Sequence, residues 1–135
     1  MTASGSLVNG VDFVSVSTQD LAAAREFYGT VLGLPCSAVY QRGTESAIGA
    51  EFETGNLTLS VLEVAAVGLE FSPAPFPIAL HVEDIEAARA ELQSRGVAFA
   101  SDMLDSGVCH MDFFKDPDGN ALMLHHRYAP RTPRG

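Results

Sequence analysis

Asp116-Pro117-Asp118-Gly119-Asn120, held between Met111-Asp112-Phe113-Phe114-Lys115 and Ala121-Leu122-Met123-Leu124-His125, decides how this chain is read. An Asp-Pro-Asp-Gly-Asn run between two apolar, strand-like segments is hairpin chemistry. Proline presets φ for the bend, Gly119 takes positive φ without steric cost, and the Asp and Asn side chains accept from the turn's own amides. A second turn, Glu53-Thr54-Gly55-Asn56, stands 64 residues earlier and also leads into an apolar strand. One motif is written twice, which places function between the copies.

The flanking segments repeat in the same order. Residues 11–17 alternate, with Val14 and Val16 on one face and Phe13, Ser15 and Ser17 on the other, as a half-buried strand does. Asp20 caps a helix over 21–32 whose stripe is Leu21, Ala24, Phe27, Tyr28, Val31 and Leu32, and Gly33 ends it. Strands are expected over 38–41, 47–53 and 57–62. The second copy has a strand at 77–82, a helix capped by Asp84 over 85–94, and strands at 97–100, 108–115 and 121–126. Laying Asp20 on Asp84 pairs Leu21 with Ile85, Ala24 with Ala88 and Arg25 with Arg89, and carries Gly55-Asn56 onto Gly119-Asn120.

The spacing therefore predicts an α+β fold of two βαβββ repeats. Each repeat alone would leave an open sheet edge and an unburied face. Paired, they give one curved, mostly antiparallel sheet with helices on its convex side and a cleft on its concave side. Residues 10–127 form a single domain, with repeats at about 10–63 and 77–127 joined by a linker over 64–76. Residues 1–9 and 128–135 are read as flexible ends.

Composition narrows the partners. Hydrophobic residues are 47% and charged residues 19% of the 135, a globular balance. Seventeen acidic against eight basic residues give a net charge of −9, which opposes nucleic acid and anionic membrane and suits a cationic small ligand. Cys36 and Cys109 share no CxxC motif and read as two free thiols of a reducing compartment. With no basic segment ahead of an apolar core at residues 1–10 and no apolar run of membrane length, the expected location is cytoplasmic. No phosphate loop or dinucleotide fingerprint occurs, so no organic cofactor is implied.

The residues Asp20-Leu21, Phe27-Tyr28 and Val31-Leu32-Gly33-Leu34, taken with Phe113-Phe114-Lys115-Asp116-Pro117-Asp118-Gly119-Asn120, resemble the vicinal oxygen chelate superfamily. That group includes glyoxalase I, bleomycin-resistance proteins, fosfomycin-resistance enzymes and extradiol dioxygenases. The resemblance spans about 10–127. It implies the fold more strongly than any reaction. Enzymes of the superfamily usually hold a divalent metal through four side chains on the concave face. Their first ligand, a His seven residues before the capping aspartate, corresponds to Phe13, with Pro77 as its repeat mate. Their last, a Glu four residues past the turn glycine, corresponds to Met123, with Leu59 as its mate. A one-residue shift in the Leu59 strand brings Thr58 or Ser60 inward and restores no ligand. Divalent cations want imidazole nitrogen or carboxylate oxygen, which Phe13, Leu59, Pro77 and Met123 lack. No metal and no cofactor are expected.

By strand parity Ala79 and His81 face the cleft, as do Ala121, Met123 and His125. In the 108–115 strand the more apolar face is Cys109, Met111 and Phe113, which assigns His110, Asp112 and Phe114 to the cleft. His81, His110, Asp112 and His125 are thus the candidate catalytic groups, either as an acid–base set or as a relocated metal site. Histidines that merely hydrogen-bond in a polar pocket fit the same spacing. The candidate ligand-binding residues are Phe13, Ser15, His81, Asp112, Phe114, Met123 and His125. Tyr40, Phe52 and Phe76 add to the possible apolar lining, and Glu51, Glu63 and Glu70 to its negative potential.

The reading that follows is a homodimeric small-molecule-binding protein, similar to metal-free bleomycin-resistance proteins, that sequesters an apolar or cationic compound. The alternative is a non-standard lyase, isomerase or dioxygenase that uses His81, His110 and His125.

Overall fold

A computed structural model of the chain describes residues 5–43 and 46–130. The first repeat runs β1 (Phe13–Thr18), α1 (Leu21–Glu26) continued by a π-helical turn (Phe27–Val31), β2 (Cys36–Gln41), β3 (Ala47–Glu53) and β4 (Thr58–Glu63). After a 3-10 turn at Val64–Val67 come β5 (Ile78–His81), α2 (Ile85–Ser94), β6 (Leu104–Asp105), β7 (Cys109–Lys115) and β8 (Ala121–Arg127). Both helices start as their caps require. Asp20 Oδ1 accepts from the Ala23 amide at 3.2 Å, and Asp84 Oδ1 from the Ala87 amide at 3.0 Å.

The α+β architecture of two βαβββ units is present, and its sheet is hydrogen-bonded as two four-stranded halves. Their orders are β1-β4-β3-β2 and β5-β8-β7-β6. In each half the first strand pairs in parallel with the last, and the other pairs are antiparallel. The sixth strand departs from expectation. Only an isolated bridge joins Phe99 to Phe114, and the strand forms instead at Leu104–Asp105. Phe99 packs against the core and on Phe114, with ring centroids 5.4 Å apart, so its apolar pattern recorded burial rather than pairing. Residues 1–4 and 131–135 of the expected flexible ends lie outside the described residues. Tyr128, placed in that tail, is held by its amide on the Val108 carbonyl and its hydroxyl on Asp105.

Val16, Ala50, Phe52, Leu59 and Val61 of one half, and Phe114, Leu122 and Leu124 of the other, meet α1 and α2 in a single core. The turn quoted at the outset locks the halves together. Asp116 is buried. It accepts from the Tyr28 hydroxyl at 2.7 Å, from the Asn120 side-chain amide at 2.8 Å, and from the backbone amides of Asp118 and Asn120. Asn120 also donates to the Ser17 carbonyl and accepts from the Ala74 amide, while Asp118 accepts from Thr18 and the Gln19 amide. The π-turn brings Phe27 and Tyr28 both inward, edge to face at 5.2 Å.

The Tyr28 phenol is pushed far above its ordinary value, first by burial, then by the negative charge of Asp116 and its hydrogen bond. The fold thus favours neutral tyrosine. Its contribution is complete below the unfolded value near pH 10 and falls away as pH rises beyond it. Tyr28→Phe should cost about 1–3 kcal/mol in urea unfolding, because Asp116 Oδ2 loses its hydroxyl donor. The variant should also lose stability less steeply than wild type between pH 10 and 11.

Candidate functional site

The helix-free face of each half is set by pairing register. In the first half Phe13 pairs with Thr58 and Ser15 with Ser60, while Ser60 and Thr58 pair on their other side with Glu51 and Glu53. Gly49 pairs with Tyr40 on the same face. A Cβ at Gly49 would come within 3.1 Å of the Val61 carbonyl and 3.3 Å of the Tyr40 ring. Its absence lets the ring lie across β3 so that the hydroxyl donates to Glu51 at 2.5 Å. Glu53 accepts from Ser37 at 2.5 Å and Thr58 at 2.7 Å, and these bonds hold its carboxyl below the usual range. The bond to Glu51 raises the Tyr40 phenol. This open face is therefore built of hydroxyls and carboxylates, with Phe13, 51% exposed, at its edge.

The second half has a different open face. Met123 stands between Ala79 and Phe113, and His125 between His81 and Met111. Two methionines and a phenylalanine, none of them in the core, make a soft apolar surface. The histidine pair sits at its end, with His81 Nε2 3.0 Å from Glu83, which holds the Glu83 carboxyl below its ordinary value.

Two expectations are overturned here. His110, Asp112 and Phe114 were assigned to the cleft, but Asp112 and Phe114 pair with Leu124 and Leu122 of the core and lie on the helix side. Asp112 is fully buried and paired with Arg89 of α2 at 2.5 Å, and the Arg89 guanidinium lies over the Phe99 ring. Asp112 Oδ2 has no partner. His110 pairs with His126 on that side, packs at a tilt against Tyr128 with ring centroids 4.8 Å apart and lies 3.4 Å from Asp105. So His81 and His125 share a surface that His110 and Asp112 do not, and the four-residue catalytic or relocated metal set is not assembled. Leu59 is likewise a core residue, and Thr58 and Ser60 take the open face beside β1.

The two errors have different causes. The loop between β3 and β4 is four residues long and that between β7 and β8 is five, so a constant offset of 64 slips out of phase beyond the turn and misplaces Leu59 against Met123. In β7, which keeps the phase of β3, the more apolar side of the strand is the open one. Of the aromatic candidates, Phe52 is core and Phe76 stands free on the linker. Glu70 is exposed on the linker, and Glu63 pairs with buried Thr18 at the end of β4. Sequence reasoning missed Glu53, Met111 and Phe113 as open-face residues. The Lys115–Ala121 closure of the five-residue loop carried the signal that would have set their parity.

Among the described residues, no three His, Cys, Asp or Glu side chains gather where a metal could be held. The usual ligand positions and their neighbours carry a ring at Phe13, a methyl at Ala79 and a thioether at Met123, with the carboxylates of Glu51 and Glu53 on one open face and the imidazoles of His81 and His125 on the other. The family model for the glyoxalase/bleomycin resistance protein/dioxygenase superfamily matches residues 10–124. The chain belongs to that superfamily.

Members of known structure share the architecture. TnmS3, an antibiotic-binding protein from Streptomyces sp. CB03234, is 24% identical with a TM-score of 0.73, over 90% of this chain and 98% of that one. A glyoxalase/bleomycin resistance protein/dioxygenase from Nocardioides is 22% identical with a TM-score of 0.75, over 98% and 92%. A glyoxalase family protein from Bacillus anthracis is 22% identical with a TM-score of 0.74, over 90% and 98%. No curated protein matches the sequence. No described helix is long and apolar enough to cross a membrane.

If Asp112 serves the fold and not the open face, Asp112→Ala should cost about 2–3 kcal/mol in urea unfolding. That is below the roughly 3–5 kcal/mol for breaking a fully buried pair, because a quarter of the Arg89 side chain remains exposed. Ligand uptake at the open face should be unchanged in the same variant.

Proposed function

We propose that this superfamily member binds and sequesters a small aromatic compound carrying positive charge, and that it does so as a homodimer. The observation that carries the reading is the division of labour between the open faces. Met111, Phe113 and Met123 offer an apolar, polarisable surface for a flat ring system, with no helix to cover it. Glu51 and Glu53 on the other face offer carboxylates to a cation, among the hydroxyls of Ser15, Ser60 and Tyr40. Phe13 supplies a further ring, and His81 and His125 fix polar groups at the rim. The net charge of −9 draws a cation toward the molecule. That a structurally similar protein, TnmS3, binds an antibiotic supports small-molecule binding.

Dimerisation follows from the same exposure. Neither open face alone encloses a ligand, whereas two copies set face to face bury the apolar face of one against the hydroxyl face of the other.

The dye acridine orange, flat and cationic, is a direct probe. Fluorescence titration should give saturable binding that weakens at least tenfold in Phe113→Asp and severalfold in the Glu51→Gln/Glu53→Gln double variant, with the salt dependence reduced in the latter. Equal affinity in Phe113→Asp would remove the apolar face from the site and sink the reading. Sedimentation velocity should report twice the 14.3 kDa chain mass; a monomer at micromolar concentration would overturn the dimer.

A further inference from the structure

The internal repeat is broken at one place, and the break leaves a cavity. The cap-to-cap alignment of Asp20 with Asp84 sets Phe27 against Glu91 and Tyr28 against Leu92. In the first repeat the two aromatic rings fill the space between α1 and the opposing turn, and the Tyr28 hydroxyl ends on Asp116 of that turn. In the second repeat Glu91 pairs with Arg95 at 3.0 Å beside the cavity, and Leu92 has neither the ring nor the hydroxyl of Tyr28. The opposing turn, from Thr54 to Leu57, is one residue shorter. It closes on itself through Thr54 Oγ1, which donates to the Leu57 carbonyl at 2.6 Å and meets Asn56 Oδ1 at 3.1 Å. What stays open between α2, β5 and this turn is a cavity of about 720 Å³.

Its walls are largely apolar, chiefly Leu34, Leu57, Leu80 and Leu92, and its rim is polar, with Asn56, His81 and the Glu91–Arg95 pair. The volume lies within the range of small-molecule pockets, about 300–1,000 Å³. The other repeat shows what shape belongs there: a phenol, ring against helix and sheet, hydroxyl toward the turn. We propose that this cavity is a second small-molecule site, distinct from the Met111, Phe113 and Met123 surface and meeting it only at Ala79 and His81 of the edge strand, that takes a flat hydroxylated aromatic compound of one or two fused rings. Asn56 offers its side-chain carbonyl to the guest hydroxyl, in the role that Asp116 plays for Tyr28. The guest completes the internal symmetry that Leu92 leaves unfilled.

The probe is 2-naphthol, titrated into the full chain and followed by its own fluorescence and by calorimetry. One equivalent per chain is expected, with a rise in thermal midpoint. Leu92→Tyr, which places the missing phenol in the cavity, should weaken uptake at least tenfold, and Leu57→Trp, blocking from the turn side, serves if Leu92→Tyr does not unfold cooperatively. Naphthalene, lacking the hydroxyl, should bind severalfold more weakly, and Asn56→Ala should erase that difference. Phe113→Asp, on the open face, should leave 2-naphthol uptake intact even where it abolishes dye binding, so the two sites stand or fall separately. No uptake by wild type, including the case in which a second copy of the chain already covers the cavity, would overturn the proposal. So would uptake that survives both blocking variants, or that disappears with Phe113→Asp.

Discussion

The buried carboxylate of Asp116 is the constraint on which the rest of this structure hangs. A carboxylate taken out of water must be met by donors, and here four arrive from two sources. Three come from its own turn and fix the turn's shape. The fourth is the Tyr28 hydroxyl, from a helix 88 residues away in sequence. Asn120 and Asp118 extend the same junction to Ser17, Thr18 and Gln19. One half of the molecule therefore cannot shift against the other without stranding a buried charge, and both open faces keep a fixed relation to the core.

The fold was legible because its punctuation is chemical. Capping aspartates at 20 and 84, a glycine with positive φ at position 33 and the Asp-Pro-Asp-Gly-Asn turn each act through their own backbone, so they read correctly without tertiary information. The strands between them alternated cleanly enough to place Phe13, Ser15, Ala79, His81, Met123 and His125 on the helix-free faces. What failed was transfer across a turn. One extra residue in the second hairpin put β8 out of phase with β4, so Leu59 went to the core although its repeat mate Met123 is on the open face. The rule that the more apolar side of a strand is the buried one also misled, since a binding surface is itself an apolar side left bare. A buried Asp–Arg pair looks from sequence like any polar residue awaiting a ligand.

The two repeats share a plan and diverge in their surfaces. The first carries Glu51, Glu53, Tyr40 and serines outward, and the second methionines, a phenylalanine and a pair of histidines. Hard or borderline divalent cations would need three or more nitrogen or carboxylate donors converging on one point, and among the described residues Glu51 and Glu53 on one open face and His81 and His125 on the other form no such group. The same side chains suit an amphipathic organic cation, held by dispersion on one side and by carboxylates on the other. Superfamily membership supplies the scaffold, and the proposed use rests on these side chains.

Metal content tests that account most directly. Purified, tag-free protein loaded in turn with Zn²⁺, Mn²⁺ and Fe²⁺, dialysed and analysed by elemental mass spectrometry should retain well under one equivalent of each, with an unchanged thermal midpoint. One tightly held equivalent per chain, lost in His81→Ala and in His125→Ala, would contradict it and make the histidine pair the core of a metal centre.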